Sequence, residues 1–253
     1  MKFDAPRRED IVSLRLLWKE AFGDPDSFLD AFFASAFSEK RARCAYLDGK
    51  VAGALYWFDC QYDDLRVAYI YAVATAEAYR GRGVCRALME DTHTHLRARG
   101  YAGAVLVPGD GGLFEMYRKM GYQTCGYLQK FACDARVGAV SVTEIDRSEF
   151  AILRRRYLPL HGIVQERENL SFLEAEAAFY KGEDFLLACR KVGDTLQGIE
   201  LLGSIESAPL IVHAMGCRFG EFRTVGDCDD VPFAMCHLFE NRQIPTYLGF
   251  AFD

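Results

Sequence analysis

The chain begins with two stretches in which apolar residues recur at helical spacing. In residues 9–22 the apolar side of the pattern consists of Ile11, Leu14, Leu17 and Trp18. In residues 27–37 it consists of Phe28, Phe32 and Ala36. Because residues three and four positions apart share one face of a helix, both stretches are expected to be amphipathic helices. The intervening Asp24-Pro25-Asp26 is expected to separate them.

Short runs rich in β-branched and aromatic residues follow, and they predict strands. Strands are expected at 44–47, 51–58 and 65–75, with a hairpin turn at Asp48-Gly49 and a second turn at Asp63-Asp64. A helix at 83–99 ends before Gly100, where a C-cap glycine belongs. The remaining elements of this half are strand 101–107, helix 113–120 and strand 127–133. This order predicts a mixed α/β fold rather than a doubly wound one.

The second half of the chain shows signs of repeating the first. Three short matches relate the halves: Ser27–Ala31 with Ser171–Ala175, Lys50–Gly53 with Thr195–Gly198, and Ile11–Leu14 with Phe150–Leu153. Near-equal offsets between such matches indicate a duplicated unit. Strands are expected at 232–236 and 246–252. The polar, glycine-containing stretch 134–138 predicts a boundary between domains at 1–134 and 138–253.

Composition and charge exclude several function classes. The 253 residues are 51% hydrophobic and 26% charged, which suits one large or two smaller globular domains. A net charge of −6 disfavours nucleic acid or an anionic membrane as the main partner. The first ten residues lack the apolar region of a secretory signal, and the nine cysteines show no metal-type spacing. We therefore expect a cytoplasmic protein with reduced thiols and no metal.

The turn between strand 65–75 and helix 83–99 carries the clearest chemical signal. Gly81 and Gly83 allow backbone N–H groups to converge at a helix N-terminus, where the helix dipole also favours negative charge. Arg80, Arg82 and Arg86 add positive charge around this point, so the turn is typical of a diphosphate cradle. The segment matches neither a P-loop nor a dinucleotide fingerprint. Taken alone, it could also be an ordinary strand–turn–helix with solvated arginines.

Two segments together resemble the GNAT superfamily of N-acyltransferases. Tyr79–Leu88 resembles the acyl-CoA-binding motif Arg/Gln-x-x-Gly-x-Gly/Ala, with Cys85 in place of the last small residue. Leu113–Tyr122 resembles the second signature, a short helix with Tyr-x-x-x-Gly-Phe/Tyr. The resemblance covers about residues 1–132. It implies a GNAT-type acyl-CoA-binding fold, duplicated here with a degenerate second copy that lacks the cofactor motif.

The resemblance also implies roles for individual residues. The strand before the turn would splay from its neighbour and pair with the pantetheine arm, and one of its amides would hold the oxyanion. Tyr117 would protonate the departing CoA thiolate, and Asp110 would cap the short helix. The implied acetyl-CoA-binding residues are Val73, Ala74, Thr75, Arg80, Gly81, Arg82, Gly83, Val84, Cys85 and Arg86. Acetyl-CoA is the co-substrate, and no metal takes part.

Other chemically interesting residues remain open or are discounted. Asp59, Glu77 and Glu115 are candidate general bases, and the C-terminal carboxylate of Asp253 is a further one. His93 and His95 lie two apart on a helix and so cannot share a metal. Neither Cys85 nor Cys125 has a histidine partner at a recognisable position for a covalent mechanism. The aromatic run formed by Tyr56, Trp57, Phe58, Tyr69 and Tyr71 is either core or the lining of an acceptor pocket.

Together these observations predict an N-acetyltransferase that moves an acetyl group from acetyl-CoA directly to an amine. The second half is expected to shape the acceptor site. The alternative is a non-catalytic acyl-CoA-binding sensor. The absence of an obvious base favours the sensor, whereas Tyr117 favours the enzyme.

Overall fold

The computed structural model describes residues 1–252. These residues form two compact units. Unit 1 contains Met1–Gln123 and Cys236–Arg242, and unit 2 contains Thr124–Met235 and residues 243–252. The units therefore differ from the predicted division at 134–138, both in the position of the boundary and in the late segment that joins unit 1. The assignment of one acetyl-CoA-binding domain and one domain without the cofactor motif stays a prediction.

The sheet of unit 1 is built from the first five strands of the chain. They are β1 (Lys2–Asp4), β2 (Ala42–Leu47), β3 (Lys50–Tyr62), β4 (Leu65–Thr75) and β5 (Gly103–Leu106). β1 to β4 are antiparallel neighbours in chain order, and β5 joins β4 in parallel. The mixed α/β architecture expected from the sequence is confirmed.

Four α-helices accompany this sheet, close to the predicted bounds. They are α1 (Ile11–Phe22), α2 (Asp26–Ser35), α3 (Val84–Ala98) and α4 (Gly111–Arg118). α1 buries Leu14, Leu17 and Trp18, three of its four predicted apolar positions. α3 is followed by Gly100 in the left-handed conformation, with φ of 76°, as its predicted C-cap role requires. These local signals were sufficient because each lies within a few residues of the helix that it defines.

The segment Cys236–Arg242 completes unit 1 from far along the chain. The Phe239 amide donates to the Ala102 carbonyl across 2.8 Å. A Cβ atom at Gly103 of β5 would lie only 2.8 Å from the His237 carbonyl oxygen, so a glycine is required there. The edge of β5 that faces away from β4 is thus occupied by a segment that the sequence pattern assigns to the second half.

Unit 2 holds the remaining elements. Its strands are β6 (Gln123–Asp134), β7 (Thr143–Ile145), β8 (Val164–Gln165), β9 (Ala178–Lys181), β10 (Phe185–Val192), β11 (Thr195–Gly203), β12 (Phe219–Val225) and most of β13 (Val231–Leu238). Its helices are α5 (Arg147–Tyr157), α6 (Glu168–Leu173) and α7 (Ala208–Ala214). β7, β9, β10 and β11 are successive antiparallel neighbours, and β12 is parallel to β11.

The two units share one order of elements. The series β7, α5, α6, β9, β10, β11, α7, β12 repeats β1, α1, α2, β2, β3, β4, α3, β5, with the same pairing directions. Both β4 and β11 also contain a slip in register against the preceding strand. This agreement supports duplication. It relates β11 to β4 and not to β3, so the sequence match between Lys50–Gly53 and Thr195–Gly198 aligns strands that are not equivalent.

The strand expected at 246–252 is wrong. Residues 247–252 are buried, but the stretch forms only an isolated bridge between Tyr247 and Gly162. The Gln165 side chain takes the place of a neighbouring strand. Its Oε1 accepts from the Gly249 and Phe250 amides at 3.2 and 3.0 Å, and its Nε2 donates to the Phe250 carbonyl. One buried amide side chain thus satisfies backbone groups that a ladder would otherwise pair.

Two general expectations concern membranes and thiols. Within residues 1–252, none of the helices has both the length and the apolar character that crossing a bilayer requires. All nine cysteines are thiols, and six of them are buried. The thiols thus behave as small core side chains, as the sequence predicts.

Candidate functional site

The end of β4 carries the first part of the expected acetyl-CoA site. β4 pairs with β5 only from Val67 to Tyr69, although it continues to Thr75. The register against β3 slips near Ala72, which has a φ of 48°. A bulge of this kind bends a strand away from its neighbour. Among residues 1–252, β4 has only β3 and β5 beside it, so its edge beyond Tyr69 is open on one side.

Polar groups at the end of β4 point to this open edge. The Ala76 amide donates to the Ala52 carbonyl of β3 across 3.0 Å. Because successive residues of a strand point their backbone groups in opposite directions, those of Thr75 face away from β3. Thr75 Oγ1 is buried and has no hydrogen-bond partner within residues 1–252. A Cβ atom on Gly53 of β3 would lie 3.6 Å from this oxygen and 3.2 Å from Val84 Cγ1, so the hydroxyl lies on the face of the sheet that α3 covers, and it is the backbone of Thr75 that faces the open edge.

The glycine turn after β4 has the geometry of an anion cradle. Gly81 and Gly83 have φ values of 72° and 76°, and a Cβ atom at either position would meet no atom within 4 Å. Gly83 is the N-cap of α3 and has no side chain to cap the helix. The first amides of a helix lack intrahelical acceptors, so those of Val84, Cys85 and Arg86 remain available to a ligand.

Three exposed arginines surround the turn. Arg80 Nε donates to the Thr75 carbonyl across 3.2 Å, which ties the turn to the end of β4. Arg80 Nη2 also lies 3.9 Å from a carboxylate oxygen of Glu20. The Arg82 guanidinium lies 5.6 Å from the centre of the Tyr79 ring. The cluster is thus positively charged, with one acid, Glu20, that the sequence analysis did not single out.

Tyr117 lies on α4 with its hydroxyl available. Asp110 caps this helix as expected, because its Oδ1 accepts from the Leu113 amide across 3.0 Å. The Tyr117 side chain is 6% exposed, and its hydroxyl makes no hydrogen bond to any residue in the range 1–252. Burial, followed by the nearby Cys85, raises the pKa of Tyr117. The phenol therefore stays protonated and can act as a hydrogen-bond donor.

A buried histidine, His93, lies beside Tyr122, and Tyr122 packs against Tyr117. Tyr122 packs edge-on against the Tyr117 ring at 5.7 Å, and its hydroxyl lies 2.8 Å from His93 Nε2. The His93 ring stacks on His237 at 4.8 Å and 8°. Burial first, then His237 and Arg97, lowers the pKa of His93 to about 4. His93 is thus a singly bonded neutral histidine, and it does not share a partner with His95, which packs near Trp57.

The low pKa of His93 predicts a pH-dependent stability. The unfolded chain binds a proton at His93 below its ordinary pKa of about 6.5, whereas the folded chain resists protonation down to about 4. Stability is therefore lost as pH falls through this window. Between about pH 7.5 and pH 5 the wild type should lose about 2 kcal/mol more than His93→Gln. Urea unfolding of both proteins measures the difference, and equal losses would contradict the burial argument.

The candidate bases lie in different surroundings. Asp59 accepts from Arg66 across 2.8 Å and from Tyr101, and it pairs with Ala68 near the start of β4 rather than with its end. Glu115 is exposed and forms ion pairs with Arg118 and Lys119. Glu77 is exposed, and its amide donates to the Glu20 carboxylate. Asp253 lies outside the described residues. Of the three described candidates, Glu77 alone follows directly on the open end of β4.

Most of the aromatic run belongs to the core. Tyr56, Phe58 and Tyr69 are at most 3% exposed and contact one another or the rings of α1 and α2. Tyr71 is half-buried next to the Ala72 bulge, where its ring lies 5.6 Å from Trp18. Core packing therefore accounts for the run except at Tyr71, which borders the open end of β4.

A metal site was not expected from the sequence. In the part of the chain described, Asp227, Cys228 and Asp229 offer ligand atoms within 4.8 Å of one another. All three are exposed, and the Asp227 Oδ1 and Asp230 Oδ2 atoms accept from amides of the same turn. This group is a hydrogen-bonded loop distant in sequence from β4, α3 and α4.

Comparisons with known proteins agree with the geometry. Residues 3–125 match the family model of the acetyltransferase (GNAT) domain. The fold is similar to that of a GCN5-related N-acetyltransferase from Kribbella flavida, with a TM-score of 0.72 and 18% identity, over 94% of this chain and 70% of that one. The fold is also similar to that of a GCN5-related N-acetyltransferase from Anabaena variabilis, with a TM-score of 0.72 and 16% sequence identity. This match covers 94% of this chain and 73% of that one.

Another solved structure matches this chain along almost its whole length. A protein from Pyrococcus horikoshii described as a putative acetyltransferase has a TM-score of 0.64 and 14% identity, and the match covers 98% of this chain and 93% of that one. At these identities the structures establish the fold. No curated protein matches the sequence.

Proposed function

We propose that this chain, whose residues 3–125 are an acetyltransferase domain of the GNAT family, transfers an acetyl group from acetyl-CoA to an amine. The observation that carries the proposal is the juxtaposition of an open strand edge and an uncapped helix N-terminus. The edge ends at Thr75, and the helix begins at Val84 after a turn with two glycines of positive φ. An extended acyl-pantetheine arm suits the edge, and a diphosphate suits the helix.

Two parts of acetyl-CoA, the pantetheine arm and the diphosphate, would each meet matching groups in this arrangement. The backbone of Val73 and Thr75 would pair with the pantetheine amides as an added strand, whereas Ala74 between them faces β3 and would hold this segment of β4 in place. The amides from Gly81 to Arg86 would hold the diphosphate, and the three arginines Arg80, Arg82 and Arg86 would add charge-assisted contacts.

The reaction then needs three events at the acetyl carbon. The nitrogen of a neutral amine attacks the carbonyl carbon, and a backbone amide at the bulge of β4 stabilises the oxygen as it becomes negative. The resulting tetrahedral intermediate collapses, so the C–S bond breaks and the thiolate leaves, and the nitrogen releases its extra proton to solvent. Tyr117 donates to the sulfur. Because a thiol of pKa about 8.5 is more acidic than this buried phenol, the hydroxyl acts mainly by hydrogen bonding, and solvent completes the protonation.

Unit 2 lacks the features on which the proposal rests. After β11 the chain reads Ser204–Leu210 without a glycine turn of the Arg-x-x-Gly-x-Gly type. Glu200 of β11 is occupied by a buried ion pair with Arg154, at 2.7 and 2.8 Å, and by the Tyr247 hydroxyl at 3.0 Å. A Cβ atom at Gly249 would lie 1.7 Å from Glu200 Oε1, so the surroundings of Glu200 are closely packed. Unit 2 is therefore proposed not to bind acetyl-CoA.

This assignment predicts one acetyl-CoA per chain. Isothermal titration calorimetry should give a stoichiometry of about one, because only one strand end is followed by a cradle. The bound ligand should also raise the melting temperature, since it binds the folded state alone. A stoichiometry of about two would overturn the proposal that unit 2 is degenerate.

The experiment that tests the function is acetyl-CoA-dependent thiol release with a panel of amines. The panel should include a polyamine, an aromatic monoamine, an aminoglycoside and peptides with a free N-terminus or lysine. An enzyme releases CoA thiol continuously with at least one of them. The alternative, an acyl-CoA sensor, binds acetyl-CoA without turnover, and Tyr117 disfavours it because its hydroxyl has no structural partner. The thiols of all nine cysteines suit a reducing compartment, so we place the protein in the cytoplasm.

A further inference from the structure

The turn that follows Tyr117 is held by a residue from the other end of the chain. The Tyr117 carbonyl accepts from the Met120 and Tyr122 amides at 2.9 and 3.1 Å, which closes the turn at the end of α4. His237 Nδ1 lies 2.9 Å from the Gly121 carbonyl oxygen in the middle of this turn. A carbonyl oxygen can only accept, so His237 Nδ1 carries the hydrogen and donates it.

Gly121 is fitted to this contact. Its φ is 89°, which a residue with a side chain rarely adopts, and a Cβ atom there would lie 2.7 Å from His237 Nδ1. The same histidine covers His93 through ring stacking at 4.8 Å. His93 in turn bonds Tyr122 across 2.8 Å. His237 therefore supports Tyr122 in three ways: through the backbone of Gly121, through the ring of His93, and by direct contact of the His237 and Tyr122 rings, whose centres lie 5.5 Å apart.

The ring of Tyr122 packs directly against the ring of Tyr117. The two rings meet edge to face at 5.7 Å and 63°. Because the Tyr117 hydroxyl has no hydrogen bond among the described residues, ring packing and the turn of α4 set its position. Errors of about 1 Å in the placement of a reacting group can cost about 10²-fold in rate. The residues that hold the Tyr117 ring in place are therefore expected to affect the rate of the reaction as well as the stability of the fold.

We infer that His237, in the segment Cys236–Arg242, is a positioning residue that holds Tyr117 in place through Gly121 and the His93–Tyr122 pair. The inference rests on the proposed role of Tyr117. It also means that the acetyltransferase domain depends on a segment more than a hundred residues beyond its last strand, well outside the matched residues 3–125. Residues 1–134 alone would lack this support.

The test is a double-mutant cycle in the full-length protein with the fastest amine of the panel. His237→Ala should lower kcat about 10-fold and leave the Kd for acetyl-CoA within about 2-fold. In a Tyr117→Phe background the same substitution should cause no further loss, because its effect passes through the missing hydroxyl. His237→Asn should recover most of kcat, since its amide nitrogen takes the position of Nδ1. His213→Ala, at an exposed histidine of α7, is the matched control and should change nothing.

Each other result counts against the inference in a distinguishable way. The positioning role of His237 would be overturned if His237→Ala lowered kcat equally in the wild-type and Tyr117→Phe backgrounds, or if it did not lower kcat at all. Either result would leave the role of Tyr117 intact. A normal kcat in Tyr117→Phe would overturn both roles, and a wild type without turnover would overturn the proposed function itself. Should His237→Ala melt early, Tyr122→Phe replaces it in the cycle. This variant keeps the ring against Tyr117 and removes only the hydroxyl bonded to His93, and it should show the same dependence on Tyr117.

Discussion

Replacing Tyr117 by phenylalanine should lower kcat by about 10²-fold and leave acetyl-CoA affinity nearly unchanged. The substitution removes only the phenolic oxygen, which makes no hydrogen bond within residues 1–252, so neither folding nor packing should suffer. General-acid contributions span about 10²–10⁴-fold. The lower end is expected because burial raises the pKa of Tyr117 and makes complete proton transfer to a thiolate unfavourable.

The measurement pairs kcat from thiol release with the Kd of acetyl-CoA from calorimetry. A fall in kcat at constant Kd identifies an interaction that is made in the transition state. Tyr101→Phe is a matched control, because this buried tyrosine lies beside Asp59 and Arg66, away from the end of β4. It should keep its kcat. A near-normal kcat in Tyr117→Phe would contradict the proposed role of Tyr117 at the departing thiolate. Loss of acetyl-CoA binding would instead assign Tyr117 to binding of this ligand.

Gly83→Asp should weaken acetyl-CoA binding by at least about 10²-fold. The site of the new side chain is open, so the carboxylate would occupy the space in which the diphosphate is expected. Two like charges about 4 Å apart repel by about 4 kcal/mol near a protein surface, and solvent screening reduces this to the stated loss. A carboxylate at a helix N-terminus stabilises the helix, which offsets part of the strain of a positive φ. The protein should therefore fold.

Gly100→Asp is the control for this prediction, at the opposite end of α3. Gly100 has the same φ of 76° and equally open surroundings. Both variants carry the same charge change and the same backbone strain, but only Gly83 lies at the proposed cradle. The shift in melting temperature produced by acetyl-CoA should vanish in Gly83→Asp and persist in Gly100→Asp. Retention of the shift in Gly83→Asp would contradict the assignment of the cradle.

Much of unit 1 could be predicted because its signals are local. The apolar spacing of α1, the turn at Asp48-Gly49 and the glycines at 81 and 83 act within a few residues of the structure that they determine. The motif around Gly83 also led to a predicted site at the end of β4, where the structure has an unpaired strand edge. The same locality explains why the cap of α4 by Asp110 could be predicted from one residue.

The long-range pairings were beyond such reasoning. Nothing in the residue pattern of 236–242 indicates that this segment lies beside β5. The pattern of apolar residues in a strand predicts the strand itself but does not identify the strand with which it pairs. The stacking of His93 on His237 joins residues far apart in the chain, so it had no signal in either segment. The stretch 246–252 has strand composition, yet its backbone bonds to the Gln165 side chain and to single backbone groups of His161 and Ile163 instead of to a neighbouring strand. The strand-like composition of this stretch therefore reflects the burial of its side chains and does not show that its backbone pairs with another strand.

The measurement that tests the account most directly follows both products of one reaction. Acetyl-CoA labelled in its acetyl group is incubated with the full-length protein and a responsive amine, and thiol and acetylated amine are counted together. The account predicts that they appear in equal amounts, that the label is on nitrogen, and that Gly83→Asp abolishes both. Tight binding of acetyl-CoA with no acetylated amine from any member of the panel would contradict it.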